Sequence, residues 1–288
     1  MKQNARAEAT SPVTVVVEPR ATDRDPEKYS RRLSRQNMIL AIMTPIVLLA
    51  LWELSARLGF VDTRFFPAPS SIGRTGLELL RNGMLLESLA VTLRTLLIGL
   101  VAGNLIGTVM GIMMGLVRPL RAALDPLLSG LYTVPKLAIL PLLLLLLGLG
   151  ETPRIIVVAI GSFFIAWITM IEATLGIAHG YLETAESLNL SRAQRLRLVI
   201  FPAVLPDYFV GLRIAVGNAV LLIVGVEFVL GGSGIGSLIW NSWQIFATER
   251  MYAGIVCVGL LGYVLTKVVK IIAKAAVPWS PKSTSRRR

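Results

Sequence analysis

Apolar residues in this chain gather in long, nearly unbroken blocks rather than in stripes or alternations. Six blocks reach the ~20 residues that an α-helix needs to cross the hydrocarbon of a bilayer: roughly 39–58, 95–117, 127–147, 155–175, 208–230 and 252–273. The pattern predicts an all-α integral membrane protein with about six transmembrane helices. Between the fourth and fifth blocks lies the opposite kind of sequence, ETAESLNLSRAQRLRLVIFPAVLP at 183–206, which is too charged to lie in lipid.

That segment carries its own punctuation. Glu183, Thr184, Ala185 and Glu186 open a short helix with acids in its first turn, where the helix dipole favours them. Asn189 suits the end of this helix, because asparagine tolerates the left-handed conformation that stops one. Ser191 is a candidate cap for a second helix that carries Arg192, Arg195 and Arg197, turns apolar and ends at Pro202. A helix, a tight stop, a basic helix and two prolines make a stiff protrusion at one membrane surface.

The apolar blocks have internal features of their own. In the second, Gly99, Gly103, Gly107, Gly111 and Gly115 recur at every fourth residue. Glycines so spaced share a helix face and let a neighbouring backbone approach closely, which is how helices associate where water cannot drive them together. Four residues overshoot a turn by about 40°, so the stripe winds and can serve more than one neighbour, within the subunit or across a dimer seam. Asn104 beside it is expected to make an interhelical hydrogen bond. The third block, TVPKLAILPLLLLLLGLGE, is interrupted by Pro135 and Pro141. Such breaks are tolerated at membrane depth only where protein or a water-filled cavity satisfies the freed backbone groups. Lys136 between them is either an attractor for an anionic solute or a lysine that pairs with a helix or snorkels.

The fifth block holds Asn218 and Glu227, the latter read as a partly hydrated carboxylate lining a gate or as an interfacial residue. Pro135, Lys136, Pro141, Asn218 and Glu227 are thus the candidate translocation pathway. After them comes GGSGIGSLIWNSW, whose Trp240 and Trp243 suit a headgroup belt. Glu172, near the end of the fourth block, is a candidate partner for Arg213. Between the first two blocks, FFPAPSSIGRTGLELLRNGMLLES predicts an interfacial amphipathic helix on the outer leaflet, with Ser70 or Ser71 as its cap.

Composition narrows the class. With 54% hydrophobic and 16% charged residues among 288 and a mean hydropathy of +0.69, the chain reads as a membrane protein rather than a soluble domain. The net charge of +12 sits mainly at the termini and in short loops, so it fits topology and lipid headgroups better than nucleic acid. With the N-terminus inside, 18 of the 29 lysines and arginines fall on the inner side and 7 on the outer. Both termini and the 183–206 segment are therefore expected in the cytosol. The expected division is a cytosolic tail at 1–36, a transmembrane domain at 37–274 with its cytosolic loop at 177–207, and a basic cytosolic tail at 275–288. A single cysteine, Cys257, and a single histidine, His179, offer neither a disulfide framework nor a metal cluster. No GxxxxGK[ST] phosphate loop is present, so ATP hydrolysis, if the protein works uphill, is expected on another chain.

The 183–206 segment resembles the EAA loop of ABC-importer permeases: Glu-Ala-Ala, three residues, Gly, nine residues, then Ile-x-Leu-Pro. Glu183-Thr184-Ala185 stands for the triplet, Asn189 for the glycine, Val199 for the isoleucine and Phe201-Pro202 for Leu-Pro, with no gap. The departures are Thr184, Asn189 and Phe201. The FFPAPSSI stretch, and Pro135, Ala138, Pro141 and Leu142 in the third block, are similar to the branch that imports sulfonates, taurine and nitrate. The resemblance spans about residues 50 to 272.

It implies a non-enzymatic permease subunit of the bacterial inner membrane, one of two copies, served by an extracytoplasmic solute-binding protein. It also implies that Glu183, Thr184, Ala185, Glu186, Asn189, Ser191 and Pro202 couple the subunit to an ABC ATPase that holds the ATP and Mg. No cofactor is expected on this chain. The alternative is a secondary transporter driven by an ion gradient, which calls for buried carboxylates near mid-membrane. Glu53, Glu172 and Glu227 lie nearer the block ends. A membrane-embedded enzyme would need metal-ligand clusters or a Ser/His/Asp set, and the sequence offers neither.

Overall fold

The computed structural model describes residues 26–279. Most of the two expected tails, including the apolar run at 13–17 and the arginines at 286–288, lies outside the described residues. By their internal contacts the residues fall into two units, Met1–Phe60 and Val61–Arg288. The first contributes α1 (Pro26–Arg57), whose Arg35–Arg57 stretch is apolar and long enough to cross a membrane.

The second unit begins with α2 (Pro69–Arg81), α3 (Met84–Leu116) and α4 (Arg118–Tyr132). A 3-10 turn at Lys136–Ile139 leads into α5 (Leu140–Leu147) and α6 (Glu151–Leu175). Then come α7 (His179–Ser187), α8 (Arg192–Arg195), a π turn at Leu196–Ile200, α9 (Phe201–Leu230), α10 (Ile235–Gln244) and α11 (Thr248–Ala276). Among the described residues there is no strand. Five helices among the described residues are long and apolar enough to cross a membrane, or six if a bent pair counts as one span.

The bent pair is the third apolar block. Instead of one straight span at 127–147, α4 and the segment Lys136–Leu147 meet at 90°. The prolines explain the break. Pro135 precedes the 3-10 turn and Pro141 sits in the first turn of α5, so each occupies a helix start, where its missing N–H costs least. Only Leu140 of this element is fully buried, against Val157 and Val226; Leu120, Leu124 and Leu128 of α4 are partly buried against the cluster of Met114 and Trp167.

Three helices form the centre. Leu96 and Leu100 of α3, Val158 of α6 and Ala215, Val216, Ala219, Val220 and Ile223 of α9 make one buried cluster. The amphipathic helix α2 buries Ile72 and Leu79 against α3 and α11, while Leu77 and Leu80 stay exposed. Neither serine caps it. Ala68 is the N-cap residue, and the Ser71 hydroxyl donates back to the Ala68 carbonyl.

The glycine ladder faces a single neighbour. A Cβ built on Gly99 would lie 2.7 Å from the Ile155 carbonyl oxygen, and one on Gly111 would lie 2.6 Å from that of Trp167. Gly103 and Gly107 meet the carbonyls of Ala159 and Phe163, and Gly115 meets Thr174. Residues 155, 159, 163 and 167 are themselves every fourth, so the two winding rows turn together and one neighbour takes the whole stripe. The seam lies inside the subunit. Asn104 does not make its expected bond. It is 3% exposed, and neither side-chain atom finds a partner among the described residues, because it lies in a largely apolar cleft with Leu97, Leu212 and Val269.

Candidate functional site

At one end of the bundle the polar segment forms a tight unit. α7 starts at His179, one turn earlier than the acids suggest, because no side chain caps Ala178 to mark the start. Glu183 therefore sits mid-helix and Glu186 in the last turn, both exposed and loosely paired, with His179 at 3.6 Å and Arg195 at 3.4 Å respectively. Surface pairs of this kind are worth little, ~0–1 kcal/mol. The helix ends in a Schellman arrangement. The N–H of Leu190 donates to the Ala185 carbonyl at 3.1 Å and that of Asn189 to Glu186 at 2.9 Å, with Asn189 at φ 51.

Ser191 then caps α8. Its hydroxyl accepts from Gln194 N–H at 3.3 Å, and its own N–H donates to the Gln194 side-chain oxygen at 2.9 Å. Pro202 does not end this helix. The chain widens into the π turn at Leu196–Ile200 and continues into α9, and Pro202 follows that turn directly, where the widened helix accommodates a ring without an N–H. Thr184 donates to the Gly180 carbonyl at 2.7 Å, which spends its hydroxyl within α7. Ala185, 1% exposed, is the one buried residue of α7.

Beside the segment a cleft of about 860 Å³ opens between α6 and α9, lined by Glu172, Tyr181, Pro202, Asp207 and Trp279 among others. Glu172 shares that wall with Asp207, and Arg213 is not its ion-pair partner.

The broken span presents Lys136 at its bend. The ammonium donates to the Tyr132 carbonyl, freed where α4 stops, and lies 4.6 Å and 5.0 Å from the ring centres of Tyr132 and Phe164. Pro135 and Pro141 flank it. Asn218 is half-buried on the face of α9 that meets Gly161 of α6.

Glu227 departs furthest from its expected place. It is 0% exposed rather than hydrated. One carboxylate oxygen accepts from the Thr92 hydroxyl at 2.8 Å and the other from Gly236 N–H at 2.7 Å. Thr92 in turn accepts from Ile235 N–H at 2.9 Å, so α3 and α9 together satisfy the first N–H groups of α10. Arg154 of α6, 7% exposed, donates to the carbonyls of Ser233 at 2.8 Å and Gly231 at 3.0 Å.

Thr92 and Arg154 are the functional candidates the sequence did not reveal. One signal was present: the glycines at 234 and 236 follow an acid within ten residues, and a Cβ at either would strike the Glu227 side chain. Among the described residues, no three of His, Cys, Asp and Glu are grouped as metal ligands.

A chain with this set of membrane-length helices and one broken span is matched among known proteins. The family described as binding-protein-dependent transport system inner membrane component matches residues 103–279. The chain belongs to that family. It is a multi-pass inner-membrane permease subunit of an ABC transporter, and its relatives are transport permeases. A putative aliphatic sulfonates transport permease protein of Bacillus subtilis, SsuC, is 30% identical over 85% of this chain and 89% of its own length. The taurine transport system permease protein TauC of Escherichia coli K12 is 30% identical over 88% of this chain and 93% of its own. In fold, a chain of the MetNI methionine ABC transporter, solved in inward-facing conformations, superposes with a TM-score of 0.59 at 20% identity. That match covers 66% of this chain and 95% of the other.

Within this permease the left-handed residue at 189 gives a direct test of the segment's shape. Asn189→Gly is expected to leave thermal stability unchanged, since glycine adopts φ 51 freely. Asn189→Val should loosen the segment, because a β-branched residue there costs about 1–2 kcal/mol. The rate of limited proteolysis within 183–195 in detergent reads the difference.

Proposed function

We propose that the chain is the membrane half of an ATP-driven importer for a small anion of the sulfonate, taurine or nitrate kind. Two copies form the pathway, an extracytoplasmic binding protein delivers the solute, and an ABC ATPase holding ATP and Mg supplies the work. Both termini and residues 177–207 face the cytosol, in keeping with the excess of basic residues on that side. Glu183, Thr184, Ala185, Glu186, Asn189, Ser191 and Pro202 form the knob that seats on the ATPase. ATP draws the ATPase subunits together, the knobs move with them, and the spans swing to expose the pathway alternately to the two sides.

The observation that carries this reading is the loop itself. A helix stopped by a Schellman turn, followed at once by a capping box, runs without interruption into a membrane-length helix, with Arg192–Leu230 forming one piece of 39 residues. Such a piece transmits a push.

The test is reconstitution. Vesicles holding this chain with its ATPase and binding protein should take up taurine, an alkanesulfonate or nitrate only when ATP is supplied. Uptake by this chain alone, driven by an ion gradient, would overturn the reading. Lys136, Pro135 and Pro141 at the bend, with Asn218, are the proposed pathway residues, and Lys136 attracts the anion. Lys136→Met should weaken apparent affinity for an anionic solute about tenfold, as expected for loss of ~1.4 kcal/mol from one charge-assisted contact. Unchanged affinity removes Lys136 from the pathway.

A further inference from the structure

The carboxylate of Glu227 lies inside a built network that ties four elements together at the end of the bundle opposite the polar loop. Thr92 comes from α3, Arg154 from α6, Glu227 from α9, and the N–H groups of Ile235 and Gly236 from α10. Ser237 adds a further tie, its hydroxyl lying 3.1 Å from the carbonyl oxygens of both Glu227 and Ser233. The connection between α9 and α10 is held rather than loose. Gly231, Gly232 and Gly234 have φ of 63, 81 and 110, and Arg154 grips two of the intervening carbonyls. Nothing larger than glycine fits at 236, where a Cβ would lie 2.7 Å from both the Glu227 Cβ and the Val224 carbonyl.

The placement of this clamp gives it a mechanical meaning. Arg192–Leu230 is one continuous piece of 39 residues, about 58 Å at 1.5 Å per residue, with the polar loop at its start and Glu227 near its far end. The glycine ladder joins α3 to α6 along the way. The broken span α4–α5 makes none of these hydrogen bonds; it meets the body through apolar contacts, Leu140 against Val157 and Val226, and Leu120, Leu124 and Leu128 against the cluster of Met114 and Trp167.

We propose that Glu227, with Thr92 and Arg154, is a positioning group of the transport cycle: it locks the tip of α9 to α3, α6 and α10. Displacement received at the polar loop then moves all four as one body against the broken span. This rests on the reading of 177–207 as the ATPase-coupling loop. Without the clamp, α9 still receives the push, but its tip slips past its neighbours and the broken span stays where it was.

The test needs no knowledge of the solute. In a Cys257→Ser background, Leu149→Cys places a single thiol on the strongly exposed link after α5. Its reaction rate with a membrane-impermeant maleimide is measured in the permease–ATPase complex with ADP and with trapped ATP. The parent should show a nucleotide-dependent rate. Thr92→Val, equal in size but without the hydroxyl, should cut that difference at least about fivefold, the lower range of coupling between sites, while the ATPase still copurifies. Thr92→Ser should restore it, which a merely volumetric role would not require. Glu227→Gln, which keeps the side-chain shape and turns one acceptor into a donor facing Thr92 or Gly236, serves as the second variant should Thr92→Val fail to accumulate. A full nucleotide-dependent difference in Thr92→Val or Glu227→Gln overturns the clamp. A parent complex that forms no ATPase assembly, or shows no difference, overturns the coupling reading beneath it.

Discussion

Gly103→Leu should leave almost no folded permease in the membrane. Gly103 stands at the tightest point of the α3–α6 seam, where a Cβ would run into the backbone of Ala159 rather than into a side chain that can turn away. Two effects oppose each other. Removing a glycine from a helix interior gains about 1 kcal/mol in propensity. Overpacking a close-packed contact costs typically ~1–3 kcal/mol when side chains can adjust, and here only a shift of the whole helix relieves the clash. The clash wins, and it acts on the seam that holds the two central helices together. Gly130, where a Cβ meets nothing within 4 Å, supplies the control: Gly130→Ala should accumulate like the parent. Membrane yield and thermal stability in detergent read both, and a normal yield of Gly103→Leu would mean that α3 and α6 are not packed as described.

Ala185→Leu should separate assembly with the ATPase from insertion into the membrane. Ala185 is the buried residue by which α7 sits down on the π turn, and its carbonyl accepts the Leu190 N–H that closes the helix. A leucine there lifts α7 from its seat, at ~1–3 kcal/mol of overpacking, and misplaces the residues from Glu183 to Ser191, proposed above as the knob. The transmembrane helices do not depend on α7, so the variant should insert and purify in normal amounts. Copurified ATPase should fall at least about tenfold, the equivalent of ~1.4 kcal/mol. Ala185→Gly, which empties the seat without lifting the helix, should retain the ATPase.

What the sequence disclosed divides by distance along the chain. The spans were legible because a bilayer imposes a length of apolar helix that few other environments require. Asn189 and Ser191 were legible because stops and caps are settled within four residues. The errors in the same segment were local signals overridden. The acids at 183 and 186 suggested a helix start, yet α7 opens a turn earlier with no cap. Pro202 suggested a stop, yet the π turn carries the helix past it. The bend at Lys136 could be read from two prolines, but its 90° angle could not. Glu227 and Asn104 exchanged expectations for a different reason. Thr92 is 135 positions from Glu227 and Arg154 is 79 from Ser233, so no local pattern marks the carboxylate as buried and bonded. Asn104, expected to bond, lies against apolar neighbours that only the packing of three helices brings there.

The most direct measurement is made on the parent complex and on the double variant Glu183→Ala, Asn189→Val, each reconstituted with ATPase and binding protein. Insertion of the two should be equal. If the loop at 177–207 is where force enters, the double variant loses both copurified ATPase and ATP-dependent uptake. A double variant that keeps its ATPase and imports at the parent rate would contradict the account.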